Sequence, residues 1–396
     1  MRITQHPILE PKPGREVAFT FDGRTLVGRE GEMVSSALFA NGIRTFSRHR
    51  VGDAPQGIFC ANGQCAQCTV LIDGLPMKSC ITPLREGMEI KTLVHFPELP
   101  ADDEPRQAHK PQELTCDVLV VGAGPSGITA AIELAEAGYS VILADDKDHL
   151  GGKLVLQTHK FFGSMADCYA GTRGTDIARI LEQEARARKN ITIMTDSVVA
   201  GVYADGKAGI YQPNEERYLL VSFRGVVVAA GARERSLVFP GNDLPGVFGA
   251  GAFQTLVNRD LVRSSERVLI VGCGNVGLIA AYHALQAGIN VVGLIDIAPR
   301  ISGYRVHADK IKRMGVPIYL SHTLVSVQGE GKVEKATIAQ VDEHWNPLLQ
   351  TAKTFAVDTV LIAVGLSSVD EFYNAGVEAG FPVLKTGDAN EIAEAS

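Results

Sequence analysis

The sequence predicts an α/β chain in which one strand–turn–helix unit is nested inside another, preceded by a small β module that carries a cysteine cluster. Three observations predict it. The stretch Asp117 to Gly152 runs strand, glycine turn, helix, second strand and terminal acid in that order. The stretch Arg267 to Ile297 repeats the order, and a repeat of this kind is itself an architectural signal. Four of the seven cysteines fall between Cys60 and Cys80. Composition sets the outer bounds. A chain of 396 residues calls for two or three domains, because a single core rarely grows that large. A net charge of −7 gives no reason to expect nucleic acid or an anionic membrane as partner. No apolar run is long enough to span a bilayer, and the opening MRITQHPILEPKPG lacks the apolar core of a secretory signal. Clustered rather than dispersed cysteines point to metal ligation in a reducing compartment, which predicts a cytoplasmic chain.

The first module spans residues 1–94. Val17 to Phe21 alternates like a strand, Asp22-Gly23 is a hairpin turn, and Thr25 to Val27 returns. Met33 to Asn41 reads as a short helix ended by Gly42. Then come Cys60, Cys65, Cys68 and Cys80, spaced C-x4-C-x2-C-x11-C. The first three have the plant-type spacing of a 2Fe–2S cluster, whose two irons require four thiolates. Ala61, Gly63 and Ala66 are small enough for the loop to wrap with backbone N–H groups facing sulfur. Thr69 to Ile72, Asp73-Gly74 and Pro76 to Ser79 form a hairpin that returns Cys80. The rival is structural zinc, whose sites usually pair one C-x2-C with another. His49 reads as a surface residue.

Residues 95–115 have a linker composition, with Pro97, Pro100, Pro105 and Pro111 around the acidic run Asp102 to Glu104. The module before it is therefore expected to fold largely independently of the domain after it.

The outer unit occupies 116–263. Val118 to Val121 is a buried-strand run. Gly122, Gly124 and Gly127 follow in G-x-G-x-x-G spacing, where the three glycines serve the turn, the approach of a pyrophosphate and helix–strand packing. The helix N-terminus offers free N–H groups to phosphate. Ser140 to Ala144 ends at Asp145, placed to accept from ribose hydroxyls. Gly151-Gly152 let backbone approach a second phosphate or a ribityl chain. Residues 153–176 contain no C-x-x-C, which argues against disulfide-reductase chemistry. His159, Lys160, Cys168 and Arg173 are the catalytic candidates there, with Tyr169 as a further residue able to line a site, and a cover loop of packing residues accounts for them at least as well. Thr175 to Arg188 is an amphipathic helix and Ile191 to Met194 a strand; Val198 to Tyr203 and Tyr218 to Phe223 form an antiparallel excursion. Val226 to Ala230 is a strand that runs into Gly231, a turn expected beside the nucleotide.

The inserted unit occupies 264–362. Gly272, Gly274 and Gly277 repeat the glycine pattern, and Asn290 to Ile295 ends at Asp296. A carboxylate there repels a 2′-phosphate and favours NAD over NADP, with Arg300 nearby as a counterweight. Cys273 reads as a small buried filler. Further strands are expected at Val316 to Ser321, Leu324 to Val327, Val333 to Val341 and Thr359 to Val364. Residues 363–396 return to the outer unit. Asp388, in Thr386 to Ala389, is either a ribityl ligand or the N-cap of a helix that begins as the chain stops.

By this point the residues resemble a known family. GARERSLVFPGNDLPGVFGAG, Gly231 to Gly251, is similar to a stretch of the α subunits of heterotetrameric sarcosine oxidase, hydrogen cyanide synthase, opine oxidase and dye-linked proline or hydroxyproline dehydrogenase. VAFTFDGRTLVGREGEMVSSALFANGIRTFSR looks like their N-terminal module. The resemblance implies a two-dinucleotide-binding-domain flavoprotein with nested Rossmann-like units and an N-terminal β-grasp, ferredoxin-like 2Fe–2S domain. It implies FAD or another adenine nucleotide in the first unit, with Ala230, Gly231 and Asp388 beside it, and NAD(H) in the second. It implies an electron-transfer subunit in a hetero-oligomer whose separately encoded flavoprotein partner oxidises the amine, and an electron donor or acceptor protein. Sarcosine oxidase α subunits lack these four cysteines, a departure that favours the dehydrogenase or synthase branch; their folate-binding C-terminal extension is not matched, so the resemblance does not imply tetrahydrofolate chemistry. Two other readings use the same glycines: a self-sufficient NADH:acceptor oxidoreductase, and a scaffold that binds nucleotides structurally and only positions the cluster.

Overall fold

The computed structural model describes residues 1–11, 14–96, 110–161, 163–203 and 205–392. The chain forms two compact units: Met1–Asp103 with Glu234–Gly365, and Glu104–Arg233 with Leu366–Ser396.

The first unit begins with the cysteine module. Its sheet runs, in order, Arg24–Arg29, Glu16–Phe21, Glu89–Lys91, Thr69–Ile72 and Leu75–Lys78. Glu16–Phe21 pairs antiparallel with its hairpin partner and parallel with Glu89–Lys91, the mixed order of a β-grasp. Val17, Phe19 and Phe21 alternate inward against the helix Val34–Ala40, which Gly42 ends in the left-handed region at φ 81.

The second half of that unit is a parallel sheet in the order Val247–Gly249, Thr359–Ile362, Arg267–Val271, Asn290–Asp296 and Ile318–Leu320. The strands are β-branched runs buried on both faces, as parallel sheets require. An antiparallel three-stranded sheet, His322–Gln328, Lys335–Val341 and Pro347–Ala356, follows it.

The two halves share one core. Phe39 of the module meets Phe248 edge-on, with ring centroids 6.4 Å apart. Ser36 Oγ donates to Asp260 at 2.6 Å, and Ile3 N–H donates to the Leu261 carbonyl at 2.8 Å. The cluster of buried residues runs without a break from Val17 and Phe19 through Phe248 and Phe253 to Leu278 and Ile311.

The other unit carries the parallel sheet Ile191–Met194, Val141–Ala144, Val118–Val121, Gly225–Val228 and Val383–Lys385. The helix Pro125–Glu136 starts with proline at its first position, where the missing N–H costs nothing, and Gly138 follows its end at φ 91. A four-stranded sheet, Val198–Tyr203, Lys207–Gln212, Arg217–Ser222 and Gln112–Thr115, completes the unit. The linker reading of 95–115 therefore does not extend to its last four residues. Gln112–Thr115 pairs parallel with Leu219 to Ser222, more than a hundred residues later, so local composition carried no sign of it. Residues 97–109 and the start of the expected last helix, 393–396, lie outside the described residues. No described helix is long and apolar enough to cross a membrane.

The shared core has a measurable consequence. Truncating Phe39 to alanine, in the cysteine module, should cost about 3–5 kcal/mol. The only tryptophan, Trp345, lies in the other half of the unit and reports on it. Urea unfolding followed by Trp345 fluorescence should shift to lower denaturant in Phe39→Ala, together with faster thiol reaction at Cys60 to Cys80. An unchanged Trp345 transition would show that the halves unfold separately.

Candidate cofactor sites

The module brings its four cysteines together. Thr69–Ile72 and Leu75–Lys78 pair in register, so Ser79 and Cys80 return beside Cys68. Ser79 Oγ donates to the Cys68 carbonyl at 2.7 Å, and Lys78 Nζ donates to the Gly63 carbonyl at 2.6 Å, closing the loop. Ala61 and Gly63 take positive φ, 51 and 83, which lets the loop turn twice within four residues. Cys60, Cys68 and Cys80 are buried and Cys65 is half-buried; all are free thiols. Their sulfurs form one connected set. The Cys65 and Cys80 thiols donate toward Cys60, which holds the Cys60 sulfur well below its ordinary range. The single Cys80 hydrogen is shared between Cys60 and Cys68, and the Cys68 sulfur is brought down to about 7. Cys65 is pushed up first by its bond to Cys60 and then by burial, and Cys80 first by its bonds to Cys60 and Cys68 and then by burial.

Backbone N–H groups face the sulfurs: Asn62 and Cys65 toward Cys60, the latter at 3.3 Å, Gln67 toward Cys65, and Cys80 toward Cys68. Such donors stabilise thiolate charge and tune a cluster's potential. Among the described residues no three His, Cys, Asp or Glu side chains meet the geometry of a single-ion site. A two-iron cluster divides four thiolates between its metals and does not require one. The donor set, four sulfurs ringed by amides, fits a 2Fe–2S cluster.

In the outer unit the three glycines have distinct surroundings. Gly122 has φ 102, and a Cβ on it would run into the Ala229 carbonyl. A Cβ on Gly127 would collide with the Gly122 carbonyl oxygen. Nothing lies within 4 Å of a Cβ on Gly124, so the space before the helix N-terminus is open. This is the cradle that a pyrophosphate needs. Gly151 N–H donates to the Ala123 carbonyl at 2.8 Å, and Gly152 lies against the Gly124 Cα. Asp145 accepts from Ala123 N–H at 2.6 Å and Lys147 N–H at 2.9 Å. Burial pushes its carboxyl up, and those two donors act against the rise. A carboxylate has about four acceptor positions, so two remain for ribose hydroxyls. Ala230 and Gly231 extend from the Gly225–Val228 strand directly after the carbonyl that touches Gly122. Gly387 packs on Ser126 at the start of the helix, and Asp388 follows it, half-buried, in a 3-10 turn.

The inserted unit repeats the contacts of the first and third glycines and of the terminal acid. Gly272 has φ 113 and abuts the Ala363 carbonyl; Gly277 abuts the Gly272 carbonyl. Gly274 is the helix N-cap, as Gly124 is in the first unit. Asp296 accepts from Cys273 N–H at 2.7 Å and Ala298 N–H at 2.9 Å. Arg300 is exposed four residues beyond. Burial, with the Asp296 charge, pushes the Cys273 thiol up to about 12, which suits a filler and not a nucleophile.

Of the catalytic candidates, Lys160 and Arg173 are brought together as neighbours in an isolated antiparallel β-bridge. His159 is buried and stacks on Phe161 at 5.2 Å. Lys160 is exposed and bridges Arg173, whose guanidinium donates to the Thr158 carbonyl. Cys168 lies in the short helix Met165–Cys168, its thiol donating to the Ser164 carbonyl at 3.0 Å.

Sequence reasoning missed three features. Gly303 is the counterpart of Gly151-Gly152: its N–H donates to the Cys273 carbonyl at 3.0 Å, and a Cβ would overlap the Gly274–Asn275 peptide. A lone glycine seven residues after Asp296 was the available signal. Asn275 Oδ1 accepts from Tyr304 N–H at 2.7 Å and fixes that loop. Glu234 accepts from Gly251 N–H at 2.7 Å, at the start of the helix Ala250–Gln254.

The pyridine nucleotide-disulphide oxidoreductase profile matches residues 116–388, and that of a 2Fe-2S iron-sulfur cluster binding domain matches 14–95. Sarcosine oxidase subunit alpha of Rhizobium meliloti is 28% identical over 352 residues, which cover 72% of this chain and 34% of that one. Hydrogen cyanide synthase subunit HcnB of Pseudomonas aeruginosa is 27% identical over 281 residues, covering 66% and 60%. The chain thus spans about a third of the sarcosine oxidase subunit. The crystal structure of L-proline dehydrogenase from P. horikoshii superposes with a TM-score of 0.72 at 20% identity, over 97% of this chain and 71% of that one, a likeness of fold.

The glycine surroundings separate stability from binding. Gly124→Ala should leave the melting temperature of the nucleotide-free chain nearly unchanged and abolish nucleotide retention, because its methyl enters open space. Gly127→Ala should destabilise the chain by several kcal/mol, in the range of severe overpacking. Equal destabilisation by both, seen in thermal unfolding, would mean that Gly124 does not face the ligand.

Proposed function

We propose that this chain, which belongs to the pyridine nucleotide-disulphide oxidoreductase family and is a flavin-dependent oxidoreductase with a 2Fe–2S binding domain, is the electron-transfer subunit of an amine or amino-acid dehydrogenase complex. One observation supports the reading: a single chain carries two glycine turns with matching backbone contacts and a four-sulfur set ringed by amide donors. FAD would sit at Gly122, Gly124, Gly127, Asp145, Gly151, Gly152, Ala230, Gly231 and Asp388. NAD(H) would sit at Gly272, Gly274, Gly277 and Asp296, and Cys60, Cys65, Cys68 and Cys80 would hold the cluster. Bound FAD supplies the exchange between two-electron and one-electron carriers. The chain's own part is to bind and orient: open space at Gly124 for phosphate, helix N–H groups to neutralise it, carboxylates for ribose, and thiolates for iron. A disulfide exit is disfavoured, since the cysteines outside the cluster set are Cys116, Cys168 and Cys273, and burial pushes Cys116 up to about 11 and Cys273 to about 12.

The partner would be a separately encoded flavoprotein carrying the amine site. Two similar proteins are named as subunits of an oxidase and a synthase, which supports a partnership of this kind. A second reading, a self-sufficient NADH:acceptor oxidoreductase, is supported by the inserted turn, whose Gly272, Gly277, Gly303 and Asp296 make the backbone contacts that Gly122, Gly127, Gly151 and Asp145 make in the first.

The purified chain should release FAD on acid extraction and should not oxidise proline, hydroxyproline or sarcosine with a dye. Release of ATP or AMP alone would remove the flavin, and dye turnover by the isolated chain would place a substrate site within it. Cys65→Ser should lose the visible absorption and the reduced-state paramagnetic signal of the cluster while retaining FAD. Zinc without iron after anaerobic preparation of the wild type would end the electron-transfer reading.

Asp296 also sets the cofactor preference. NADH should bind at least about tenfold more tightly than NADPH, a difference of ~1.4 kcal/mol. Equal or reversed affinities by calorimetry would show that Arg300 or another cation overrides the carboxylate.

A further inference from the structure

The cysteine loop lies in a stretch almost without charge. From Gly57 to Leu84 the chain carries two charged side chains, Asp73 and Lys78. They stand at opposite ends of the hairpin formed by Thr69–Ile72 and Leu75–Lys78. Asp73 is exposed in the turn, where it accepts from Glu89 N–H at 2.9 Å. Lys78 pairs with Thr69 at the open end, where Cys68 precedes one strand and Cys80 follows the other. Each strand has four residues, so the two ends lie about 13 Å apart. That exceeds the roughly 8–10 Å over which an exposed charge acts in salt. The cation, not the acid, is the charge that the cysteine end of the hairpin feels.

Lys78 does not extend into solvent. It is half-buried, and its Nζ donates to the Gly63 carbonyl at 2.6 Å, which carries the charge into the loop between Cys60 and Cys65. The same turn covers Gly63 from another side: a Cβ on Gly63 would meet the Ile81 side chain at 3.2 Å. The Lys78 backbone is tied as well, its carbonyl accepting from Ile81 N–H at 3.2 Å and from Thr82 Oγ1 at 2.9 Å. The ammonium is therefore fixed at one end by the hairpin and at the other by the loop it closes. Closing the loop needs a donor and no charge. A full charge at this point, in a stretch with no other cation, acts on whatever the sulfurs hold.

We propose that Lys78 sets the reduction potential of the cluster that Cys60, Cys65, Cys68 and Cys80 would hold, its ammonium raising the midpoint by favouring the reduced form. The proposal rests on the reading of the four cysteines as a 2Fe–2S site. A cluster ligated by four thiolates is an anion and gains one more negative charge on reduction, so a nearby cation stabilises the reduced form more than the oxidised one. The amide donors around the sulfurs act in the same direction as partial charges. Lys78 adds a whole charge, two residues from Cys80 and bonded to a carbonyl two residues from Cys65. A raised midpoint favours electrons entering the cluster from the flavin.

The test is a potentiometric titration of the full chain with its cluster, followed by the paramagnetic signal of the reduced form. Lys78→Gln and Lys78→Met should keep the cluster and lower its midpoint. At the wild-type midpoint the ratio of reduced to oxidised form should fall about tenfold, which is ~59 mV for one electron. Lys78→Arg should stay near the wild type. Gln64 is exposed and follows Gly63, so Lys78→Gln combined with Gln64→Lys returns a cation to the loop without the original bond and should recover most of the shift. Unchanged midpoints in Lys78→Gln and Lys78→Met overturn the proposal and leave the cluster reading standing. Loss of iron from both variants does the same, since Lys78 then serves only as a clamp for assembly. A wild-type chain that holds no 2Fe–2S cluster overturns both.

Discussion

The structure depends on one steric condition, met twice: the third glycine of each turn must let the helix backbone touch the carbonyl oxygen of the first. Gly127 lies against Gly122 and Gly277 against Gly272, each at a distance that any Cβ would violate. That contact sets the depth at which each helix leaves its strand, and so aims its free N–H groups at one point. Everything later in each unit is placed relative to it. The strand-to-loop carbonyls of Ala229 and Ala363 close on Gly122 and Gly272 from one side. The carboxylates of Asp145 and Asp296 close on the amides of Ala123 and Cys273 from the other. The terminal acid thus has a structural duty before any ligand arrives: it satisfies a buried N–H that the tight turn leaves exposed to no other acceptor among the described partners. Ribose recognition, on this reading, uses the lone pairs left over.

The pieces visible in the sequence are those governed by local sterics. Glycine spacing is legible because left-handed φ and missing Cβ atoms admit few residue types, and cysteine spacing because two irons accept few ligands. The strands Val118–Val121 and Arg267–Val271 are legible because burial on both faces demands unbroken apolar runs. What was not legible is non-local. Gln112–Thr115 is polar and mostly exposed, and becomes a strand only because Arg217–Ser222 offers it an edge. Pro347–Ala356 is likewise largely exposed, with no core face to produce an alternating signature. Gly303 was overlooked because it lacks the doubled glycine that marks Gly151-Gly152, although it makes the same bond to the turn. Residues 153–176 gave no motif, and the fold explains why. The segment is tied to itself, Phe161 N–H to the Thr172 carbonyl and Gly171 N–H to the Phe161 carbonyl, so its residues answer to local backbone bonds and not to a repeating pattern.

The least legible feature bears most on function. The cysteine module reads from its sequence as a separate body, with its own sheet, helix and hairpin. Its helix nevertheless buries Phe39 against Phe248, and its cysteine loop hands the Phe59 carbonyl to Gly249 at the carboxyl end of a parallel strand. A loop bearing metal ligands is normally held by the metal and by its own turns. Here one edge is also held by Val247–Gly249, the edge strand of the inserted half's parallel sheet. Cys68 and Cys80 of the module and Phe248 of that strand therefore belong to one packed core. Cores of native density transmit a displacement instead of absorbing it. A change in the cysteine loop is thus felt at the strand Val247–Gly249, without any moving element between them.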